Sequence, residues 1–410
     1  MLMRHAVTML GVMFLVVSVI GITPAQAQTL GFAQARQMVL NQNQNLNALR
    51  EERAAAQEAL RQASAHMNPE IEVETEDFGR AEVEVVLTQP IPIGGRRGAA
   101  MAVARRQVEM AELRLESGQI SIEAELVRRF ASVLSARRRV ELVDFLLEVS
   151  GSSIQAIRRR VEAGAAMEID VVRAELEQSE LELERTELER TLAESEARLS
   201  ELWGERTLRF EEVQGMLPGM LEIPPLDELA VAMERHPASR LLDAELTLIQ
   251  AEIDEARAEG APELALSAGY LRNNELEEET VIAGASLSLP VFNRNKGAVA
   301  EKRHEMAALE HQATGERLER AIALTALYSG LEGTSRELSA VSGELLVKAR
   351  RIHDTLEEFY THGKTGVLDV LEARSHLLEL QMRVVDLIER ETLLGADLVE
   401  LTGYQIEIIR

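Results

Sequence analysis

Five glutamates alternate with apolar residues in two short segments of the chain. They are Glu72, Glu74, Glu76, Glu82 and Glu84. Alternation with a period of two places all five side chains on one face of a β-hairpin. Such a face is either an ordinary solvated strand surface or, if several copies of the chain surround a pore, a carboxylate lining that favours cations. The pattern alone leaves both interpretations open.

No catalytic motif accompanies these carboxylates. The sequence has no Walker loop, no His-Glu-x-x-His motif and no Gly-x-Ser-x-Gly motif. Cysteine is absent, which excludes disulfides, thiolate metal sites and cysteine nucleophiles. His304 and His311 lie seven residues apart, but scattered surface histidines explain them better than a metal site. We therefore predict a protein that is not an enzyme and that has no cofactor or metal site.

Charge and the N-terminal segment point to an exported protein. The formal net charge of -25 argues against nucleic-acid binding. Arg4 and His5 precede an apolar run and the ending Ala25-Gln26-Ala27. This order is typical of a signal peptide over residues 1–27, because the apolar run is shorter than the roughly 20 residues of an uncleaved membrane anchor.

Two long segments without proline must position the rest of the chain. Each carries six apolar residues spaced by seven, which predicts a coiled-coil helix roughly 100 Å long. The first stripe is Leu126, Val133, Val140, Leu147, Ile154 and Val161, and the second is Leu324, Leu331, Leu338, Leu345, Ile352 and Phe359. A helix of this length belongs to a tube or rod, since it cannot be buried in one globule.

The chain is a tandem duplication of about 200 residues, because its proline and glycine signals recur at that spacing. The first repeat, 28–210, is predicted to contain a helix at 29–66, a β-hairpin at 71–89, a long helix at 96–163 and a return helix at 168–203. An irregular link covers 204–226. The second repeat, 227–410, is predicted to contain a helix at 227–259, a hairpin at 264–289, a long helix at 294–362 and a return helix at 366–403.

The predicted fold class is mainly α with a small β part. Four short strands with two free edges are not expected to be stable alone in one copy. They form either a small soluble sheet against the helices or a barrel closed with strands from other copies, which is the only arrangement of strands that satisfies the backbone in a bilayer.

Three runs of residues resemble the TolC-type outer-membrane efflux factors, most of all their heavy-metal (CzcC-like) branch. They are Leu87–Arg97, Leu289–Gly297 and Gly363–Ala373. The resemblance extends over essentially the whole mature chain. It implies a homotrimer in the outer membrane of a Gram-negative bacterium, with a 12-stranded β-barrel in the lipid that continues as an α-helical barrel through the periplasm, and an equatorial region at the link. It also implies docking to a periplasmic adaptor (membrane fusion protein) and an inner-membrane RND pump.

The implied function is the exit duct of a tripartite efflux system that exports heavy-metal cations. A duct for drugs, organic solutes or type I secretion shares this fold, so the substrate stays open at this point. A periplasmic coiled-coil adaptor is less consistent with the sequence, because an adaptor would carry one hairpin between β-rich halves instead of a duplicated helix-strand pattern.

The resemblance also assigns roles to residues at the far ends of the long helices. Asp369, Glu372 and Asp170 match positions at the periplasmic aperture, where three-fold symmetry would bring like carboxylates together. The alternative role of Asp369 is to cap the return helix. The residues predicted to contact an adaptor at the helix tips are Gly164, Gly363, Val171 and Val370.

Prolines, glycines and asparagines mark the predicted junctions between barrel and helix. They are Pro90, Gly94, Gly95, Pro290, Asn293, Asn295 and Gly297. Proline ends a strand because it cannot donate a ladder hydrogen bond, and glycine permits the turn that follows. Asn293 or Asn295 is expected to cap the second long helix.

Overall fold

The computed structural model describes residues 29–76, 79, 81–206, 210, 212–217, 219–274, 276–406 and 409. The predicted signal peptide at 1–27 lies outside these residues. Long helices pack side by side, and one four-stranded antiparallel sheet connects their N-terminal ends to the shorter helices.

The elements follow the duplicated order. The first repeat contains β1 (Thr29–Gly31), α1 (Phe32–Gln42), α2 (Gln44–Ala63), β2 (Glu70–Glu76), β3 (Glu82–Ile91), α3 (Arg96–Glu162) and α4 (Glu168–Glu201). The link contains β4 (Glu212–Gln214). The second repeat contains α5 (Leu226–Arg235), α6 (Pro237–Glu259), β5 (Glu263–Asn273), β6 (Glu278–Ser288), α7 (Lys296–Ala340), α8 (Leu346–Thr361) and α9 (Val367–Thr402).

The helices that precede the hairpins are each broken once, so the single helices predicted at 29–66 and 227–259 are wrong in this respect. Asn43 has extended backbone angles, and its side chain accepts a hydrogen bond from the Leu46 amide at 3.1 Å. His236 occupies the same position in the second repeat, and its Nδ1 accepts from the Ala238 amide at 3.1 Å. Both side chains cap a new helix, which stabilises the break.

The second long helix is also not continuous. A π-helical turn at Val341–Leu345 separates α7 from α8. Leu324, Leu331 and Leu338 before it are buried, whereas Leu345 at its end and Ile352 and Phe359 after it are exposed. The wider turn rotates the heptad stripe away from its previous packing face. Among the described residues, none of the helices has the length and apolarity needed to cross a membrane.

The main hydrophobic core lies where the two repeats meet near the link. Phe130, Trp203, Leu331 and Leu398 are among its buried members. β1 pairs in parallel with β4, so the link predicted as irregular contains a short strand. Smaller apolar clusters follow the long helices toward their tips. This series of local cores suits an elongated molecule.

Candidate functional site

The sheet has strand order β2-β3-β5-β6, and its register places the five predicted glutamates on one face. Glu74 pairs with Glu84 and Glu76 with Glu82, while Glu72 lies opposite Val86. Directly paired residues project to the same side of a sheet. The same face continues over β5 and β6 with small and polar residues such as Ser267 and Ser286.

The opposite face of the sheet is apolar and exposed. Its large side chains are Ile71, Val73, Val85, Leu87, Leu266, Tyr270, Val281 and Leu287. Val281 is 81% exposed and Ile71 71% exposed. A contiguous apolar surface of this kind marks a site of contact with lipid or with another protein.

Both edges of the sheet are open within one chain. β2 pairs only with β3 and β6 only with β5 among the described strands, and every residue of β2 is exposed. Unpaired backbone groups on an edge strand pair readily with another strand. The sheet in one chain is therefore a segment that further strands can extend on both sides.

At the far ends of the long helices, the two predicted tip glycines make tight left-handed turns. Gly164 has φ +71° and Gly363 φ +70°. Each turn is followed by a return helix whose third residue is an aspartate. The Asp170 carboxylate accepts the Met167 amide at 3.1 Å, and the Asp369 carboxylate accepts the Gly366 amide at 3.2 Å. Both aspartates therefore act as N-terminal caps.

The cap does not exclude an aperture role for these carboxylates. Asp369 and Glu372 are both exposed, one helical turn apart, whereas the side chain of Asp170 is 15% exposed. Capping uses one oxygen of Asp369 for the amide and for the Thr365 hydroxyl, and leaves its charge at the surface. The aperture role of all three carboxylates remains a prediction.

Two of the residues predicted for adaptor contact are not available at the surface. Val171 is 5% exposed and Val370 4% exposed, because each points from the first turn of its return helix toward the neighbouring helices. The apolar cluster at the tip includes Val171 with Ile157 and Val367. Direct contact through the two valines is thus contradicted, while the glycine turns stay accessible.

The tips of the two repeats are joined by an arginine and a tyrosine that the sequence analysis missed. Arg160 of α3 donates to the Tyr360 carbonyl, and its guanidinium lies 4.3 Å from the centre of the Tyr360 ring. Burial raises the pKa of the Tyr360 phenol, against the effect of the Arg160 charge. The heptad pattern does not mark this contact, although the separation of Arg160 and Tyr360 by 200 residues equals the spacing of the duplication.

The junctions below the sheet use some of the predicted residues differently. Gly94 and Gly95 have φ +74° and +81°, and a side chain on Gly94 would collide with Ala261. In the second repeat the left-handed turn is made by Asn295, φ +56°, whereas Gly297 is an ordinary helical residue. Gly297 was therefore wrongly predicted as the turn.

The predicted asparagine cap of the second long helix is also wrong in detail. Asn295 occupies the cap position, but its amide donates to the Ala256 carbonyl at 2.7 Å and to Glu259 at 3.0 Å, both on α6. Asn293 instead accepts from the Asn295 amide at 3.0 Å. Pro90 pairs with Ala265 as the penultimate residue of β3, and Pro290 follows β6.

Arg96, which was not predicted as a functional residue, fastens the first junction to α6. It donates to the carbonyls of Ala258 at 3.1 Å and Ala261 at 2.8 Å, and pairs with Glu263. Cations suit the C-terminal end of a helix, where carbonyls are unpaired. Both junctions therefore meet at the end of α6.

His304 and His311 are exposed on α7. Within the described residues, no group of three or more His, Asp or Glu side chains is placed to hold a metal ion.

The family model described as "Outer membrane efflux protein" matches residues 35–205 and 229–403. The cobalt-zinc-cadmium resistance protein CzcC of Cupriavidus metallidurans is 27% identical over 369 residues, covering 89% of this chain and 88% of the relative. The nickel-cobalt-cadmium resistance protein NccC of Alcaligenes xylosoxydans xylosoxydans is 25% identical over 293 residues, covering 69% of this chain and 66% of the relative.

Solved structures share the fold. The outer membrane protein VceC of Vibrio cholerae superposes with a TM-score of 0.74 at 16% identity, over 91% of this chain and 96% of that one. CusC, whose crystal structures concern transmembrane channel formation, gives a TM-score of 0.75 at 15% identity, over 91% and 92% of the two chains.

Proposed function

Because this chain belongs to the outer membrane efflux protein family, we propose that it is the outer-membrane exit duct of a tripartite system that exports heavy-metal cations. The observation that carries this proposal is the sheet, with carboxylates on one face, exposed apolar side chains on the other and two open edges. Transport, not catalysis, is the activity of the family.

A homotrimer accounts for the open edges. Four strands from each of three copies would close a barrel of twelve, and closure leaves no unpaired strand in the lipid. The apolar face would then contact lipid, and the glutamates would line the pore. The helices would continue the duct through the periplasm to the tips at Gly164 and Gly363, where a periplasmic adaptor and an RND pump would dock.

Heavy metals are the proposed substrate because two relatives that match most of this chain's length are named for metal resistance. A carboxylate-lined pore is compatible with that cargo, since acidic rings favour cations. The selectivity for one metal over another would reside in the pump. The signal peptide at 1–27 would deliver the chain to the periplasm.

The test is a gene deletion complemented with the wild-type chain. Loss of the protein is expected to raise sensitivity to zinc, cobalt, cadmium or copper, and complementation is expected to restore tolerance. Unchanged metal tolerance together with altered tolerance to drugs would replace the substrate class. A trimer that conducts ions in planar bilayers would test the duct independently of its cargo.

A further inference from the structure

Two segments at the base of the sheet contain no Asp or Glu. The chain has 69 acidic residues among 410, yet none occurs from 85 to 108 or from 280 to 300. Each segment begins within a strand of the sheet and ends in the first turns of a long helix, α3 or α7. Basic residues remain there: Arg96, Arg97, Arg105, Arg106, Arg294 and Lys296. The base of the sheet is thus a basic zone in a chain of net charge -25.

Some of these cations are satisfied within the chain. Arg96 pairs with Glu263, Arg97 donates to the Ser64 carbonyl, and Arg106 pairs with Glu109. Arg294 and Lys296 are exposed, and neither forms an ion pair with any residue that the structure describes. Glu259 on the neighbouring α6 accepts a hydrogen bond from Asn295 at 3.0 Å. The second junction therefore presents two cations without counter-charges among the described residues.

Apolar side chains precede these cations directly. Phe292 is 101% exposed, and Leu289 and Val291 are 65% and 61% exposed. They follow β6, whose Leu287 belongs to the exposed apolar face of the sheet. The corresponding residues of the first repeat, Ile91 to Ile93, are half-buried. Of the two junctions, the second is thus the one that combines exposed apolar side chains with exposed cations.

We propose that residues 289–296 bind anionic phospholipid at the periplasmic surface of the outer membrane. Val291 and Phe292 enter the boundary between acyl chains and headgroups, and Arg294 and Lys296 contact the lipid phosphate. Aromatic side chains favour that depth, and clustered cations favour anionic headgroups. The inference rests on the proposed function, because it requires the apolar face of the sheet to lie in the bilayer.

The first test places a fluorescent probe at the proposed depth. Phe292→Trp is reconstituted in phosphatidylglycerol vesicles brominated at carbons near the headgroup, and its emission is compared with that of the wild type. The wild-type protein has one tryptophan, Trp203, which is 3% exposed within the helical core and serves as an internal control. We expect the emission added by Phe292→Trp to be quenched and the emission of Trp203 to be unchanged. If the emission added by the substitution is not quenched, as would happen where a neighbouring copy covers the junction, the proposal is overturned.

The second test removes the two cations. Arg294→Gln/Lys296→Gln is expected to weaken the preference for phosphatidylglycerol over phosphatidylcholine about fivefold for each cation removed. Arg350→Gln/Arg351→Gln carries the same charge change on exposed residues of α8 and serves as the matched control. Equal lipid preference in both variants overturns the proposal, as does competition by free inorganic phosphate, which would indicate a phosphate site instead of a lipid site.

Ion conductance separates this proposal from the proposed function. Suppose that the wild-type trimer conducts in planar bilayers, but the emission added by Phe292→Trp is not quenched and Arg294→Gln/Lys296→Gln keeps the lipid preference of the control. Only the lipid site is then refuted. If the wild type fails to insert and conduct, the proposed duct itself is refuted.

Discussion

At the scale of single residues, Asp369 caps a helix and still presents its carboxylate to solvent. Its carboxylate accepts the Gly366 amide, which stabilises the start of α9, and its charge remains at the surface beside Glu372. Asp170 makes the same cap in the first repeat but is largely covered. Asp170 and Asp369 thus make the same cap, but only the Asp369 carboxylate is well exposed to solvent.

Substitution can separate the cap made by Asp369 from its predicted role at the aperture. Asp369→Asn keeps a side-chain oxygen for the cap and removes the charge, whereas Asp369→Ala removes both and is expected to cost about 1 kcal/mol of stability. If counter-ions held by these carboxylates obstruct the aperture, Asp369→Asn/Glu372→Gln raises single-channel conductance of the trimer without lowering its melting temperature. Unaltered conductance would leave Asp369 as a cap alone.

His236 is a buried histidine that caps α6, so its protonation is linked to folding. Burial, with the nearby Arg320 charge, lowers its pKa to about 4. The unfolded chain takes up this proton near pH 6.5. The contribution of the neutral His236 to the free energy of unfolding is therefore fully present above that pH and is lost as the pH drops toward 4. The loss amounts to at most about 3 kcal/mol. Asn43 performs the same capping role without a titrating group.

We therefore expect His236→Asn to reduce the loss of stability between pH 6.5 and 4, measured by denaturant unfolding at several pH values. His304→Asn, at an exposed histidine on α7, provides the control. Parallel pH profiles for wild type and His236→Asn would contradict the buried neutral histidine.

At the scale of elements, the sequence predicted what depends on periodicity. The seven-residue stripes identified the long helices, and alternation identified both hairpins and the shared face of the five glutamates. The breaks at Asn43 and His236 were missed because one capping residue interrupts a helical pattern without changing its apolar spacing. Their separation of 193 residues, equal to that of Pro69 and Pro262, was an available signal.

Other errors arose from contacts that are distant in the sequence. The π-helical turn does not change the seven-residue spacing of apolar residues in the sequence. Only the packing in the structure therefore reveals that the last three members of the stripe are exposed. The left-handed turn at Asn295 depends on hydrogen bonds to α6, which local turn rules do not contain. Burial of Val171 and Val370 likewise follows from packing of neighbouring helices at the tip.

The two faces of β3 provide a matched pair of substitutions. Val85 lies on the apolar face and Val86 on the glutamate face, and they are neighbours in one strand. Val85→Arg is expected to lower the yield of heat-resistant trimer in the outer-membrane fraction, because arginine on a lipid face costs about 2–4 kcal/mol near mid-bilayer. Val86→Arg is expected to assemble, since its side chain would enter an acidic, hydrated pore. Equal loss for both variants would refute the assignment of the faces.

At the scale of the whole molecule, closing the sheet into a three-fold barrel would change the strip of five glutamates from a solvated surface into a pore lining. In one chain, the five glutamates form a solvated strip on two strands. In a three-fold barrel the same residues would form successive carboxylate rings, whose mutual repulsion is relieved by cations in the pore. The solvated-surface and pore-lining interpretations therefore differ in a property that only the assembly has.

The ion selectivity of the reconstituted trimer distinguishes the pore-lining interpretation from the solvated-surface interpretation. Replacing Glu72, Glu74, Glu76, Glu82 and Glu84 with Gln is expected to lower the permeability of K⁺ relative to Cl⁻ several-fold, measured as the reversal potential in a salt gradient. A control replaces five exposed glutamates of α4, namely Glu180, Glu182, Glu187, Glu189 and Glu194. The strand glutamates are expected to have the larger effect, because narrow, low-dielectric surroundings strengthen electrostatic interactions with a passing ion. If the strand substitutions leave the selectivity unchanged, the five carboxylates form an ordinary solvated face and do not line the pore.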